Sequence, residues 1–140
     1  MLILPLESEI IIRTDGENVY PNECCGVLIG EIDDSGVKIV KRAESIRNAR
    51  TDGEQYHRFL ITPEDMLRAE QTARAMKLNV IGFYHSHPDH AAAPSEYDKD
   101  HALPFYSYVI VSVEQGKAKE LTSWELVPNR TALLPEILES

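Results

Sequence analysis

The sequence predicts one α/β or α+β domain in which helices flank a mixed β-sheet. Predicted strands and helices alternate without a regular βαβ repeat, which favours a sheet with both parallel and antiparallel strands. The 140 residues suffice for one hydrophobic core and are too few for two ordinary domains. Hydrophobic residues make up 43% and charged residues 26%, a balance that is typical of a globular chain rather than a disordered one.

The first third of the chain predicts a helix and a pair of strands. Residues 5–20 carry apolar side chains at helical spacing, and we expect a helix, although the run Ile10-Ile11-Ile12 is also typical of a strand. Residues 25–32 form an apolar run that predicts a buried strand. Residues 37–46 return as its partner after a turn that contains glycine.

The clearest helix is predicted at residues 63–78. Thr62 is a candidate N-cap, Pro63 suits the first helical position, and apolar residues from Met66 to Met76 mark an inner face. The other elements are predicted as strands at 56–62, 80–85, 105–113 and 118–126 and as helices at 95–103 and 132–138. We place the domain at residues 1–126 and a C-terminal tail at 127–140.

Charge and hydropathy exclude several classes of partner. The net charge of −9 and the lack of clustered Lys and Arg argue against nucleic acid, because phosphate binding needs clustered positive charge. No apolar run approaches the roughly 20 residues that a membrane helix needs, and the first residues lack the basic flank of a secretory signal. We therefore expect a cytoplasmic protein without a membrane partner.

Cys24 and Cys25 are expected to be buried, reduced packing residues. Neighbouring cysteines form a disulfide only with strain. A structural zinc site usually spaces paired cysteines by at least two residues and needs a second pair, and this chain has neither.

The segment from His85 to Asp98 predicts a metal site. His85 and His87 lie two residues apart at the end of a predicted strand, so both imidazoles point to the same face. Asp98 lies one turn into the next predicted helix. Two histidines and one carboxylate leave a fourth tetrahedral position for water, which is typical of a catalytic rather than a structural zinc. A carboxylate near the metal but not bound to it is suited to move protons.

Simpler interpretations stay open for the same residues. A His-x-His pair also occurs by chance on protein surfaces. Ser95 and Asp98 fit a helix start, with Ser95 as the capping residue, and this role explains the serine without catalysis.

The string from His85 to His90 also matches the His-x-His-x-Asp-His pattern of metallo-β-lactamase-like hydrolases. Those enzymes need further metal-binding His and Asp residues well downstream. After His90 the only further histidine of this chain is His101, about a turn past Asp98. We therefore expect Asp89 and His90 to be loop residues near the mouth of the site.

The complete spacing resembles the JAMM motif of the MPN+ metalloproteases. His85-x-His87-Pro88 is followed after six residues by Ser95-x-x-Asp98, and Glu23 stands upstream within Pro21-Asn22-Glu23-Cys24-Cys25-Gly26. The resemblance covers about residues 2–126. It implies an MPN/JAMM-like fold, a cytidine-deaminase-like mixed sheet flanked by helices, in a single domain.

The resemblance also implies a role for each residue of the motif. His85, His87 and Asp98 resemble the ligands of one Zn2+ per chain. Glu23 resembles the general acid/base that takes a proton from the water at the zinc and delivers it to the departing nitrogen. Ser95 resembles the hydroxyl that stabilises the oxyanion. Some family members lack the metal residues and act as non-catalytic MPN scaffold modules, but this chain retains all five positions.

The compact chain is most similar to small prokaryotic members of that family. Some of these hydrolyse an amide bond at the C-terminal tail of a ubiquitin-like sulfur-carrier protein, and residues 58–63 and Tyr84 resemble that subgroup. The implied partner is a ubiquitin-like or sulfur-carrier protein with a Gly-Gly-type tail, bound by a monomer or homodimer. An extended tail would add beside a sheet edge, with the polar loop at residues 48–55 as the contacting element.

Overall fold

The computed structural model describes residues 1–49, 61–129 and 131–140, which form three helices and one eight-stranded sheet. The helices are α1 (Leu6–Val19), α2 (Pro63–Ala75) and α3 (Glu96–His101). The strands are β1 (Leu2–Ile3), β2 (Cys25–Ile32), β3 (Lys38–Ile46), β4 (Asn79–Pro88), β5 (Ser107–Glu114), β6 (Lys117–Leu126), β7 (Leu133–Glu136) and β8 (Leu138–Glu139).

The sheet is mixed, as the sequence predicts. Its strand order is β7-β6-β5-β4-β2-β3-β1-β8. The central strand β4 pairs antiparallel with β2 and parallel with β5. The register between β2 and β4 places Cys25 opposite His85, so the residues just before β2 lie beside the histidine end of β4.

Two helices cover opposite faces of this sheet and enclose separate apolar clusters. Helix α1 packs against β3, β4, β5 and β6 and buries Ile12 completely. Helix α2 packs against β2 and β4 through Ala69 and Ala73. The helix predicted within residues 5–20 is therefore confirmed, with Pro5 as its N-cap rather than its first residue. Among the described residues, no helix combines the length and the apolar character that crossing a bilayer requires.

Helix α2 begins as predicted and ends earlier than predicted. Thr62 caps it: its hydroxyl accepts a hydrogen bond from the Asp65 N–H, and the Asp65 carboxylate accepts one from the Thr62 N–H. The predicted end at residue 78 is wrong because Lys77 adopts a left-handed backbone conformation, with φ of 59°, which stops the helix.

The helix predicted at residues 132–138 is wrong, because this segment forms β7 and β8. Strand β7 pairs antiparallel with β6 at one edge of the sheet, and β8 pairs parallel with β1 at the other edge. Only Ile137 separates the two strands, so one extended segment joins both edges of a curled sheet. Pro135 disfavours a helix here because it has no N–H to donate, whereas an edge strand tolerates proline.

The remaining predicted boundaries either differ from the observed ones by a few residues or fall outside the described residues. The strand predicted at 105–113 begins at Ser107, after Phe105, whose φ of 76° is left-handed. The strand predicted at 56–62 falls outside the described residues except for Ile61 and Thr62, which precede α2. The loop at 48–55 lies outside them too, apart from Asn48 and Ala49.

Candidate metal centre

Three side chains from two elements converge at the end of β4. His85 and His87 lie on this strand, and Asp98 lies in the first turn of α3. The Nε2 atoms of the two histidines are 3.2 Å apart. Asp98 Oδ1 lies 3.2 Å from His85 Nε2, and Asp98 Oδ2 lies 3.1 Å from His87 Nε2. The sequence pattern thus correctly places both imidazoles on one face and brings the carboxylate to them.

These separations fit a single small cation. An ion about 2.0–2.1 Å from each donor of a tetrahedron separates neighbouring donors by about 3.3–3.4 Å. The three donors of this group lie within 4.8 Å of one another, and the closest pairs are 3.1–3.2 Å apart. A donor set of two imidazoles and one carboxylate is one that zinc accepts.

Hydrogen bonds outside this group hold two of the donors in place. His87 Nδ1 lies 2.9 Å from the Ala91 carbonyl oxygen. Because a carbonyl only accepts, Nδ1 carries a hydrogen, and in the neutral imidazole the lone pair of Nε2 is left available to a metal. Asp98 Oδ2 also accepts a hydrogen bond of 2.9 Å from the Ser95 N–H, which fixes the carboxylate against the start of α3.

The electrostatics of the three groups keep the carboxylate ionised and distinguish the two histidines. Burial opposes the charge on Asp98, but the neighbouring imidazoles outweigh burial and hold the pKa of this carboxyl well below its usual range. Burial lowers the pKa of His85, although Asp98 acts in the opposite direction. Burial also opposes charge on His87. The hydrogen bonds that the protonated ring donates to Asp98 and to the Ala91 carbonyl, together with the negative charge of Asp98, outweigh burial and raise the pKa of His87. His85 is therefore the imidazole that stays neutral to lower pH.

Glu23 is a buried carboxyl beside this group. Only 5% of the residue is exposed, and its side chain borders a cleft of about 500 Å³ together with His87 and Ser95. Burial raises the pKa of Glu23 to about 8; His87 opposes that shift and Asp98 adds to it. A carboxyl whose pKa lies near neutrality both takes and gives a proton readily.

Ser86 holds the segment that carries Glu23, and the sequence interpretation did not include it. The Cys24 N–H donates a hydrogen bond of 2.8 Å to Ser86 Oγ, and the Ser86 N–H donates one of 3.3 Å to the Cys24 carbonyl. Asn48 Nδ2 donates to the Glu23 carbonyl at 3.3 Å. Strand alternation was the available signal, because it turns Ser86 away from its histidine neighbours and into the core.

Ser95 is the N-cap of α3, as the simpler interpretation of this residue predicts. Its hydroxyl oxygen accepts a hydrogen bond of 3.1 Å from the Asp98 N–H, which completes a capping box with the Asp98 carboxylate. Accepting this bond leaves the hydroxyl hydrogen of Ser95 to donate. Because Ser95 is exposed and lines the cleft, capping does not exclude contact with a substrate.

Asp89 faces away from the centre. Its carboxylate accepts hydrogen bonds from the Tyr20 hydroxyl at 2.6 Å and from the Gln115 N–H at 2.8 Å. His90 borders the cleft, and His101 stacks on Tyr97 with ring centroids 4.0 Å apart. Within the described ranges, one group of three or more potential metal ligands is found, and it consists of His85, His87 and Asp98. A second metal site of the metallo-β-lactamase kind is therefore not assembled from these residues.

Cys24 and Cys25 are free, buried thiols, as predicted. Burial raises the pKa of Cys25 to about 12, and the Cys25 thiol donates to the Ile46 carbonyl at 3.4 Å. Burial raises the pKa of Cys24 as well. Both thiols stay protonated at neutral pH and pack rather than react.

Comparisons with known proteins agree with this architecture. The family model described as prokaryotic homologs of the JAB domain matches residues 6–127. A protein of Haloferax volcanii named desampylase is 33% identical over 93 residues, 66% of this chain and 63% of the relative. The match therefore spans less than two thirds of the length of that curated relative.

Solved structures share the fold over nearly the whole chain. The solution structure of a Salinibacter ruber protein is 36% identical, with a TM-score of 0.77 over 99% of this chain and 90% of the other. The crystal structure of a JAB1/MPN domain protein from Archaeoglobus fulgidus is 16% identical, with a TM-score of 0.56 over 99% of this chain and 98% of the other. This second likeness concerns the fold alone.

Proposed function

We propose that this chain, which belongs to the family of prokaryotic homologues of the JAB domain, is a zinc-dependent peptidase or isopeptidase. It hydrolyses an amide bond at the C-terminal tail of a ubiquitin-like protein of the sulfur-carrier kind. The observation that carries this proposal is the convergence of His85, His87 and Asp98 beside a cleft. His87 borders that cleft together with the buried carboxyl of Glu23 and the exposed hydroxyl of Ser95. A cytoplasmic location is part of the proposal.

His85, His87 and Asp98 would hold one zinc ion per chain. A bound zinc lowers the pKa of water to about 7 and polarises a carbonyl group. The chain's contribution is to present the donors already spaced and oriented, through the Ala91 carbonyl and the Ser95 N–H. Such outer contacts support the affinity of a site for its metal.

Glu23 moves the proton in this proposal. Its carboxylate takes a proton from the attacking water and delivers it to the departing nitrogen. Burial is the main reason that the pKa of Glu23 is raised to about 8, and a positive ion nearby would lower that pKa toward neutrality. Ser86 and Asn48 keep the Glu23 backbone beside β4, so the carboxyl stays within the cleft.

Ser95 supplies a hydrogen bond to the carbonyl oxygen as negative charge develops on it. The donor is the hydroxyl hydrogen that the capping bond leaves available. A positioned donor of this kind stabilises a transition state by about 3 kcal/mol. Because the capping box orients Ser95 and Asp98 together, one helix start positions both groups.

The substrate assignment draws on the relative and on the shape of the site. The Haloferax volcanii relative is named a desampylase, and that name supports a ubiquitin-like modifier as the substrate class. A Gly-Gly-type tail carries no side chains, and in this proposal it lies extended along the cleft that Glu23, His87 and Ser95 border. Main-chain hydrogen bonds to a sheet edge would give affinity without large side chains.

The test is incubation of the zinc-loaded protein with ubiquitin-like carriers whose Gly-Gly tail is extended by one or more residues. Mass spectrometry of the products should show loss of the extension, with cleavage abolished in Glu23→Gln. Carriers that stay intact with a protein shown to contain zinc would refute the assignment of the substrate.

A further inference from the structure

The cleft beside the candidate metal centre shares a lining residue with each of two further clefts. Tyr97 also borders an apolar pocket of about 340 Å³, whose lining includes Phe83 and Leu103. Glu23 also borders a polar cleft of about 360 Å³ between the end of α1 and the end of β3. We name this polar space the Arg47 cleft, and the side chains that define it are Asp15, Asn22, Glu23, Ser45, Arg47 and Asn48.

The placement of the catalytic groups gives a substrate chain one direction through these spaces. Under the proposed function, Glu23 delivers a proton to the departing nitrogen, so that nitrogen lies beside Glu23. Ser95 contacts the carbonyl oxygen on the acyl side and is two residues from Tyr97, which borders the apolar pocket. The acyl part therefore extends toward Tyr97, and the released part extends past Glu23 into the Arg47 cleft.

The Arg47 cleft carries one positive charge among its described lining residues. Arg47 is exposed and takes part in no ion pair found between described residues. Asp15, an acidic residue in the same lining, already accepts hydrogen bonds from the hydroxyls of Tyr84 and Ser45, each at 2.9 Å. A guanidinium matches a carboxylate through two parallel N–H···O bonds.

We infer that the Arg47 cleft receives the residue released by hydrolysis and that Arg47 binds the free α-carboxylate of that residue. This inference rests on the proposed function and narrows it to the removal of a C-terminal residue. When the released group is a lysine side chain within a folded protein, no free α-carboxylate lies next to the scissile nitrogen. Arg47 would therefore not assist the release of such a lysine. Arg47 is a specificity-determining residue in this account.

The test compares two forms of one substrate. A ubiquitin-like carrier extended past Gly-Gly by one alanine is prepared with a free C-terminal carboxylate and, separately, as the C-terminal amide. We expect the zinc-loaded protein to prefer the free acid by about tenfold in kcat/KM, with most of the difference in KM. Arg47→Gln should bring the ratio of acid to amide close to one, and Arg47→Lys should restore part of it.

Arg42→Gln is the matched control. Arg42 lies on β3, the strand that ends one residue before Arg47. Its side chain pairs with Glu44 and lines none of the three clefts. This variant should keep both turnover and the preference of the unmodified chain. Calorimetry measures the Kd of each of the two carriers for the Glu23→Gln protein. The ratio of Kd for the acid to Kd for the amide is then obtained without turnover.

The outcomes separate the inference from the function on which it rests. Equal turnover and equal Kd for acid and amide in the unmodified protein would overturn the role of Arg47 and leave the proposed function standing. A preference that persists in Arg47→Gln would do the same. If neither carrier is cleaved or bound by the zinc-loaded protein, the proposed function fails, and the inference fails with it.

Discussion

Replacing Ser86 with alanine tests how the proton-carrying segment is held against the metal-binding strand. Ser86 is fully buried, and its hydroxyl accepts the Cys24 N–H at 2.8 Å, one residue after Glu23. Alanine fits the same space but leaves that buried N–H without its partner. A buried donor without an acceptor costs about 1–3 kcal/mol of unfolding free energy. A shift of Glu23 by about 1 Å would lower kcat by about 100-fold.

The assay combines urea unfolding with turnover of an extended carrier and with zinc analysis. We expect Ser86→Ala to lose stability and turnover while keeping its zinc, because no donor of the metal centre is changed. Ser123→Ala is the control. Ser123 is also buried and lies on β6, two strands away from β4. Its hydroxyl donates a hydrogen bond of 2.8 Å to Glu136 Oε1 on β7. The Ser123→Ala variant should lose stability and keep its turnover.

Two results would contradict this reasoning. If Ser86→Ala unfolds at the same urea concentration as the unmodified chain, the hydrogen bond to Cys24 does not stabilise the fold. If Ser86→Ala and Ser123→Ala lose stability equally and both keep full turnover, the Ser86 bond does not position Glu23.

Three further predictions concern the centre itself. Glu23→Gln should keep one zinc per chain and lose about 100-fold or more in kcat, since it removes the proton carrier and spares the ligands; parallel loss of zinc and turnover, measured together, would make Glu23 structural. His90→Ala should reduce turnover only slightly, because His90 borders the cleft outside the donor group; a severe loss would favour a second metal. Acidification should release zinc, because protons compete with the metal for the Nε2 lone pairs. In the metal-free chain His87, whose pKa is raised, keeps its proton to higher pH than His85, whose pKa burial lowers. Zinc retained in titrations well below the usual imidazole range would argue against these ligands.

Local rules predicted the donor group from sequence. Strand alternation places His85 and His87 on one face, and the spacing of a capping box turns Asp98 back toward the start of its helix. Both rules act over a few residues, so a single sequence suffices to apply them. The position of Glu23 follows instead from the register of β2 against β4, and only the family resemblance indicated it.

Features that depend on distant parts of the chain were missed. The segment after Leu126 was expected to contain a helix, but it pairs with β6 at one edge and with β1 at the other. Those edges meet only because the whole sheet curls, which the local pattern around Pro135 does not reveal. Strand alternation indicates that Ser86 points into the core, but it does not identify the partner Cys24, which is 62 residues away in the chain.

The most direct test of the central claim is the zinc content of the purified chain, compared with that of Asp98→Asn. Asparagine keeps the shape of the side chain and an oxygen for the capping box, but it removes the charge that faces both imidazoles. We expect one zinc per unmodified chain, a large loss of zinc in Asp98→Asn, and turnover that a chelator abolishes. A chain that holds no zinc, as a non-catalytic module of this fold would allow, or a turnover that persists after chelation, would contradict it.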